Sequence, residues 1–474
     1  MYINGEFVDS NEFDLREVHD PATGAVVGSY RLGTIATAKD AIGVATRAFA
    51  EWSARTGRDR SDYLSRIARS IEDHQTEIAE TITRENGKPL VESIGEVRGA
   101  IAHFDWYAEE APRIYGRIVP PTDPSKRHFV TRKPVGVVAC IAPWNFPIML
   151  WARKVAPALA AGCTVVARSA SQTTLSTLAM IRAIDKVGLP PGVINQVTGP
   201  AGVISDEFMS NSQVRKLTFT GSTEVGRTLL AKSAEHITNL SLELGGQAPG
   251  IVFDDADLDL AVAKVFGAKF RNGGRSCIAI NRIYVQSGIY DKFTKAFIEK
   301  VRAMKVGNGF EEDVELGPLI DEESVAKYES HVADVTARGG RIAFGGERLM
   351  KGDFAKGFFV EPCVALDVDD NAYCMCDETF GPLAPIVRFD SAEEAIRRAN
   401  DSPYGLSAYI YTQSLNTAFT VGEALDAGTV AVNDDVPSTT IAPFGGFKQS
   451  GLGRECGIEG IEAFLETKHI SVRL

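Results

Sequence analysis

The chain has 474 residues, of which 44% are hydrophobic and 24% charged, and a formal net charge of −12. That length exceeds one ordinary core, so two or more domains of a soluble globular protein are expected. The acidity, with no long run of one sign, excludes nucleic acid and anionic membrane as the main partners while permitting a local basic pocket for an anionic ligand.

The first residues, MYINGEFVDSNEFD, lack a basic segment followed by an apolar core, so no secretory signal is expected, and no apolar run is long enough to span a bilayer. Residues 36–54, 58–86 and 88–111 carry apolar positions at three- and four-residue spacing, which predicts helices. RHFVTRKP, residues 127–134, alternates as an edge hairpin strand would. From Val135 the texture changes: VGVVACIAP is a near-continuous apolar run closed by proline, as in a strand buried on both faces. The helix-like IMLWARKVAPALAAG follows, then the strand TVVAR, a helix over TLSTLAMIRAIDKVG and the strand VINQVTG. KLTFTGS, the helix EVGRTLLAKSAEH and the strand LSLELGG complete this run. A second begins with APGIVF, a helix from Asp257 to Arg271 and NRIYVQ, and continues to about residue 430; the closing TKHISVRL reads as a strand. Strand and helix alternating at this spacing predict an α/β fold with parallel sheets, whose ligands sit at the carboxyl ends of strands. The tips PWN, ARSAS, TGS and ELGG are therefore expected to converge.

Several of these tips carry chemistry. Gly221 and Ser222 open a helix after KLTFT, where free N–H groups and the helix dipole can hold a phosphate; GSTEVG is not GxGxxG, and a plain turn reads equally well. Arg168, ending TVVAR, can neutralise a cofactor phosphate or simply meet solvent. The prolines of PWNFP (143–147) make a rigid loop, from which Asn145 can donate toward charge developing on oxygen or merely satisfy a turn. Glu243, at the end of an apolar strand before two glycines, should have a raised pKa and can act as a general base. Cys277 follows FRNGGRS, where glycines permit a sharp turn that presents a nucleophile. Metal chemistry is not expected: the seven histidines occur singly, there is no HExxH, and Cys374-Met375-Cys376 has the wrong spacing for zinc. The seven scattered cysteines fit a reducing cytoplasm better than a disulfide framework.

Taken together, PWNFP, LELGG (242–246), FRNGGRSC (270–277), ETFGP (378–382) and PFGGFKQSGLGRE (443–455) resemble the aldehyde dehydrogenase superfamily, in that family's order. The resemblance implies a Rossmann-like cofactor domain (1–115 and 135–245), an α/β catalytic domain (246–445) and a small β oligomerisation unit (116–134 and 455–474). It implies that Cys277 is the nucleophile, Glu243 the general base and Asn145 the side-chain arm of an oxyanion hole, with Lys154 close to the reaction centre. Gly221 and Ser222 match the pyrophosphate loop, Trp144 lines the cofactor cleft, Glu378 holds the nicotinamide ribose and Phe380 packs beside it. The expected activity is NAD- or NADP-dependent oxidation of an aldehyde to a carboxylic acid through a thiohemiacetal and a thioester. A dimer or tetramer is implied as well.

Two departures matter. Where the family commonly has Lys-Pro-Ser-Glu, this chain has Arg168-Ser169-Ala170-Ser171; losing the glutamate at Ser171 and keeping a cation at Arg168 predicts that NADP is accepted. GGRSC replaces the commoner GQxC, so Arg275 either lowers the thiol pKa or points to solvent. SASQT, FTGSTEVGR, VFDDADLD, GPLIDE and DETFGPLAP resemble the succinate semialdehyde dehydrogenase subgroup. That likeness implies a substrate carboxylate held by Arg153 and Arg271, with a hydroxyl matched by Ser438. Glutarate semialdehyde, α-ketoglutaric semialdehyde and sulfolactaldehyde remain open, since position 279 is alanine where the subgroup often has a second cysteine. A coenzyme A-acylating enzyme is disfavoured by Glu243, and a non-catalytic structural oligomer by the joint presence of Cys277, Glu243, Asn145 and Glu378.

Overall fold

The computed structural model describes all 474 residues. The apolar run after Val135 forms the strand Val137–Ile141, buried throughout, in the middle of an eight-stranded sheet. Thr164–Arg168 and Ile194–Val197 add to one side of it in parallel. Val214–Thr220 and then Asn239–Glu243 add to the other. The direction of winding therefore reverses between Val137–Ile141 and Val214–Thr220, and such a reversal opens a crevice beyond the carboxyl ends of the two strands. The PWN loop and Gly221–Ser222 leave from these two ends. Gly451–Leu452 then pairs antiparallel with Asn239–Glu243, which draws the PFGGFKQSG segment across to Glu243.

The second run builds a seven-stranded sheet in the order Arg341–Phe344, Cys363–Leu366, Leu383–Phe389, Ile280–Gln286, Ala248–Val252, Ser407–Tyr411 and Thr429–Val432. All neighbours are parallel except Arg341–Phe344. Helices cover both sheets, as continuous apolar strands require.

Two sequence expectations change. The stretch 58–86 is two helices, Gly57–Asp73 and Gln75–Asn86, broken at His74 (φ −111°, ψ 14°). The periodicity ran through because Ile67, Ile71, Ile78 and Ile82, on both sides of the break, are fully buried in one core. The strand Lys126–Pro134 is not an edge: it lies between Arg117–Val119 and Leu465–Arg473, antiparallel to both. Alternation reports that one face of a strand is open to solvent and says nothing about which of its edges are paired. Leu465–Arg473 is itself an edge of this three-stranded sheet.

Candidate active site

The helix Met149–Ala161 begins directly after PWNFP, and its first N–H groups would be orphans. Glu96 reaches in and accepts from Ile148 N at 3.0 Å and Met149 N at 3.4 Å. The other Glu96 oxygen binds Lys88 Nζ at 2.7 Å, and Lys88 also donates to the Asn145 carbonyl at 2.6 Å. The nucleophile loop is held from the other side. After the helix Leu258–Phe270, residues Asn272, Gly273 and Gly274 all take left-handed backbone (φ 52°, 63° and 75°), reversing the chain. At Gly274 a Cβ would lie 2.4 Å from the Gly381 carbonyl, so only glycine fits. Gly246 is equally constrained, since a Cβ there would meet the Cys277 carbonyl at 2.2 Å. These glycines let the Glu243 strand end and the Cys277 turn approach closely.

Cys277 lines two cavities at once. A cleft of about 380 Å³ runs from it past Trp144, Asn145, Glu243, Gly221 and Ser222 to Glu378 and Phe380. A smaller cavity, about 140 Å³, lies on the opposite side and is bounded by Phe146, His103, Arg153, Arg271 and Ser438. The thiol thus sits where a ligand in one chamber meets a ligand in the other.

Electrostatics follow from this burial. Burial pushes the Cys277 thiol well above its ordinary value, and the Glu243 carboxylate adds to the rise. Burial also raises Glu243, helped by the charge of Glu455, and the Cys277 thiol is the one donor that acts on its oxygens. A buried carboxyl so placed is kept ready to take a proton from a thiol or a water. The Asn145 amide donates one N–H to the Arg275 carbonyl at 3.1 Å, leaving its second N–H for another acceptor.

In the smaller cavity Arg153 donates from Nη2 to Ser438 Oγ at 3.0 Å and lies 4.8 Å from the Phe444 ring centroid. Arg271 lies 5.5 Å from the Phe146 ring centroid. Neither arginine has a carboxylate partner, although Arg153 is only 5% exposed. His103 borders Arg153, and burial, reinforced by that charge, holds its imidazole well below the usual range and neutral. The carboxylates that act on Arg153, Glu455 and Glu243, do so without direct contact, so its guanidinium stays available to an anionic ligand.

In the larger cleft, Ser222 caps the helix Thr223–Ser233, accepting from Val225 N at 3.4 Å. Glu378 accepts from Gly246 N at 3.0 Å through Oε1, and burial pushes its carboxyl up to about 8. Trp144 and Phe380 meet edge to face at 5.4 Å. The helix start suits a phosphate and the Glu378 oxygens suit ribose hydroxyls, so the cleft fits a dinucleotide. Three expected residues stand elsewhere. Arg168 and Ser171 lie outside the lining, where Gln172 takes their place; Arg168 donates to Ser171 Oγ and to the Gly199 carbonyl, both at 3.2 Å. Lys154 lines neither cavity and pairs with Glu455 at 2.5 Å. Arg275 is not solvent-facing: it is 1% exposed, and the main cation acting to lower the thiol is Arg153.

Sequence reasoning missed Lys88, Glu96, Asn86 and Asn272, whose bonds run to backbone atoms that no motif displays. It also missed Lys327, which faces the larger cleft beside Glu378 while pairing with Asp377 at 2.9 Å. No group of His, Cys, Asp and Glu able to hold a metal ion occurs.

A cysteine placed where a cofactor-sized cleft meets a second, smaller cavity, on this pair of α/β sheets, marks the chain as an oxidoreductase. Residues 7–470 match the aldehyde dehydrogenase family, and the chain belongs to it. It is 46% identical to the succinate-semialdehyde dehydrogenase [NADP(+)] GabD of Escherichia coli (strain K12), over 100% of this chain and 97% of that protein. It is 45% identical to the glutarate-semialdehyde dehydrogenase of Pseudomonas putida, over 99% and 97%. The crystal structure of succinate-semialdehyde dehydrogenase from Burkholderia pseudomallei superposes with a TM-score of 0.97 at 44% identity, covering 100% of this chain and 97% of that one.

Proposed function

We propose that this aldehyde dehydrogenase oxidises a short aldehyde bearing an acid group, of the succinate semialdehyde type, to the corresponding carboxylic acid with NADP or NAD. The observation that carries the reading is the 140 Å³ cavity ending at Cys277, in which Arg153, Arg271 and Ser438 supply donors and whose lining contains no carboxylate. The relatives named for succinate and glutarate semialdehydes agree with an acidic substrate.

In this mechanism the arginines and Ser438 hold the acid group, which places the aldehyde carbon against the sulfur of Cys277. Glu243 takes the thiol proton as sulfur adds to the carbonyl. The free N–H of Asn145 and the Cys277 backbone N–H receive the negative oxygen, each worth about 3–4 kcal/mol of barrier. The nicotinamide cofactor, when bound in the larger cleft, supplies the hydride acceptor. The product on the enzyme is then a Cys277 thioester. Once Glu243 has passed that first proton to solvent, it draws a proton from water, which attacks the thioester carbonyl; the C–S bond breaks, the acid leaves and the proton returns to the Cys277 sulfur. Gly221, Ser222, Trp144, Glu378 and Phe380 hold the cofactor. Lys154, through Glu455, sets the charge felt by Glu243.

NADP acceptance is supported by Arg168, a buried cation bonded to neutral oxygens only, beside a serine rather than a glutamate. A dimer or tetramer is supported by the edge strand Leu465–Arg473 and by the exposed Tyr115, Ile118 and Leu474 close to that sheet. A reducing cytoplasm agrees with seven cysteines that are all free, and no helix is long and apolar enough to cross a membrane.

The deciding experiment is a panel of succinate, glutarate and sulfonated aldehydes against propanal, with each cofactor, followed at about 340 nm. Arg271→Ala is expected to raise KM for the acidic aldehydes at least tenfold more than for propanal, as loss of a charge-assisted bond requires. Equal effects on both would remove the acid clamp, and kcat/KM for NAD about a hundredfold above that for NADP would remove the cofactor reading.

A further inference from the structure

Covalent chemistry at this site needs Cys277 and Asn145 in fixed register, yet they ride on loops from different domains of the sequence. Arg275 sits between them. Its Nε donates to the Asn272 carbonyl at 2.9 Å, Nη1 to the Asn86 carbonyl at 3.1 Å, and Nη2 to Asn272 Oδ1 at 3.0 Å and Asn86 Oδ1 at 3.3 Å. Asn86, ending the helix Gln75–Asn86, donates in turn from Nδ2 to the Trp144 carbonyl at 2.9 Å. The Arg275 carbonyl accepts the Asn145 amide, and the guanidinium lies 5.8 Å from the Trp144 ring centroid. A closed circuit thus joins residue 275, two before the nucleophile, to residues 144 and 145.

Every acceptor in the circuit is a neutral oxygen, so Arg275 offers its fork rather than a salt bridge. A planar guanidinium spans two loops at once, which a lysine ammonium cannot do. We propose that Arg275, acting through Asn86, is a positioning residue that locks the Cys277 turn in register with the Asn145 loop. The proposal rests on the nucleophile and oxyanion roles assigned above and adds a device that fixes their separation, alongside the direct bond from Asn272 Nδ2 to the Asn145 carbonyl at 2.9 Å.

The test combines Arg275→Met, Arg275→Lys, Asn86→Ala and the double variant Arg275→Met/Asn86→Ala. Each is measured for the first-turnover burst of reduced cofactor, cofactor and propanal KM, thermal midpoint, and the pH profile of Cys277 alkylation by iodoacetamide. Misregister of about an ångström costs on the order of a hundredfold. The single variants should therefore slow the burst about ten- to a hundredfold, with both KM values within about threefold of the parent. The double variant should be no slower than its slower single, because both changes open one circuit. Arg275→Lys should be as slow as Arg275→Met, and the alkylation midpoint should not move in Arg275→Met.

A parental burst rate in Arg275→Lys, or a raised alkylation midpoint in Arg275→Met, would assign the effect to charge and overturn the proposal. Independent, multiplicative losses in the double variant, or a fallen thermal midpoint with an unchanged burst, would overturn it equally. If Arg275→Met does not fold, Arg275→Gln keeps one amide donor and takes the same measurements. Failure of the underlying nucleophile reading shows separately, as parent enzyme that stays active after Cys277 is fully alkylated.

Discussion

The half-buried Cys277 and the buried Glu243 are neighbours, and each sets the other's proton. The Glu243 charge and its readiness to accept the S–H bond favour the protonated thiol, which is why the thiol stands above its ordinary value beyond the effect of burial. Removing that charge must therefore lower the thiol pKa. In Glu243→Gln the midpoint of Cys277 alkylation against pH is expected to fall, as followed by the mass of the labelled peptide; a rise would contradict the coupling. The same variant loses the base of both steps, so its first turnover of reduced cofactor should slow and the thioester it does form should accumulate, because the base for water is gone as well. Quenched-flow mass measurement of the acylated chain would report this directly.

At the scale of elements, the oxyanion loop hangs on an ion pair. Lys88 and Glu96 are both wholly buried and 2.7 Å apart, and between them they hold the Asn145 carbonyl and the N-terminus of the helix Met149–Ala161. That helix carries Arg153 and Lys154, so one pair orients both the Asn145 loop and an arginine of the smaller cavity. Lys88→Met would leave Glu96 as an unpaired buried carboxylate, a loss of about 3–5 kcal/mol. Urea unfolding should show the corresponding drop in midpoint. An unchanged midpoint would mean that the helix N-terminus is held by other means.

For the whole molecule, the open question is what covers the three-stranded sheet. Leu465–Arg473 leaves one edge unpaired along nine residues, and long free edges of this kind are normally paired or protected. A second copy of the chain is the expected cover. Sedimentation should show a dimer or tetramer, and removal of residues 465–474 should shift the population to smaller species. A parent that sediments only as monomer would refute this.

The fold class was legible in sequence because it lives in short contiguous signals, apolar strands ended by proline or glycine, whereas the roles proposed for Cys277, Glu243 and Asn145 came from the family resemblance of the motifs around them. Local chemistry writes itself into neighbouring residues. The break at His74 was invisible because both helices face one core, and alternation could not tell whether the strand Lys126–Pro134 was an edge. The destination of a long side chain was just as hidden. Arg275 read as solvent-facing or thiol-activating until the fold brought Asn86, nearly two hundred positions away, within its reach. Tertiary structure alone decided which buried cations make no salt bridge, because pairing depends on distances between loops that no spacing along the chain encodes.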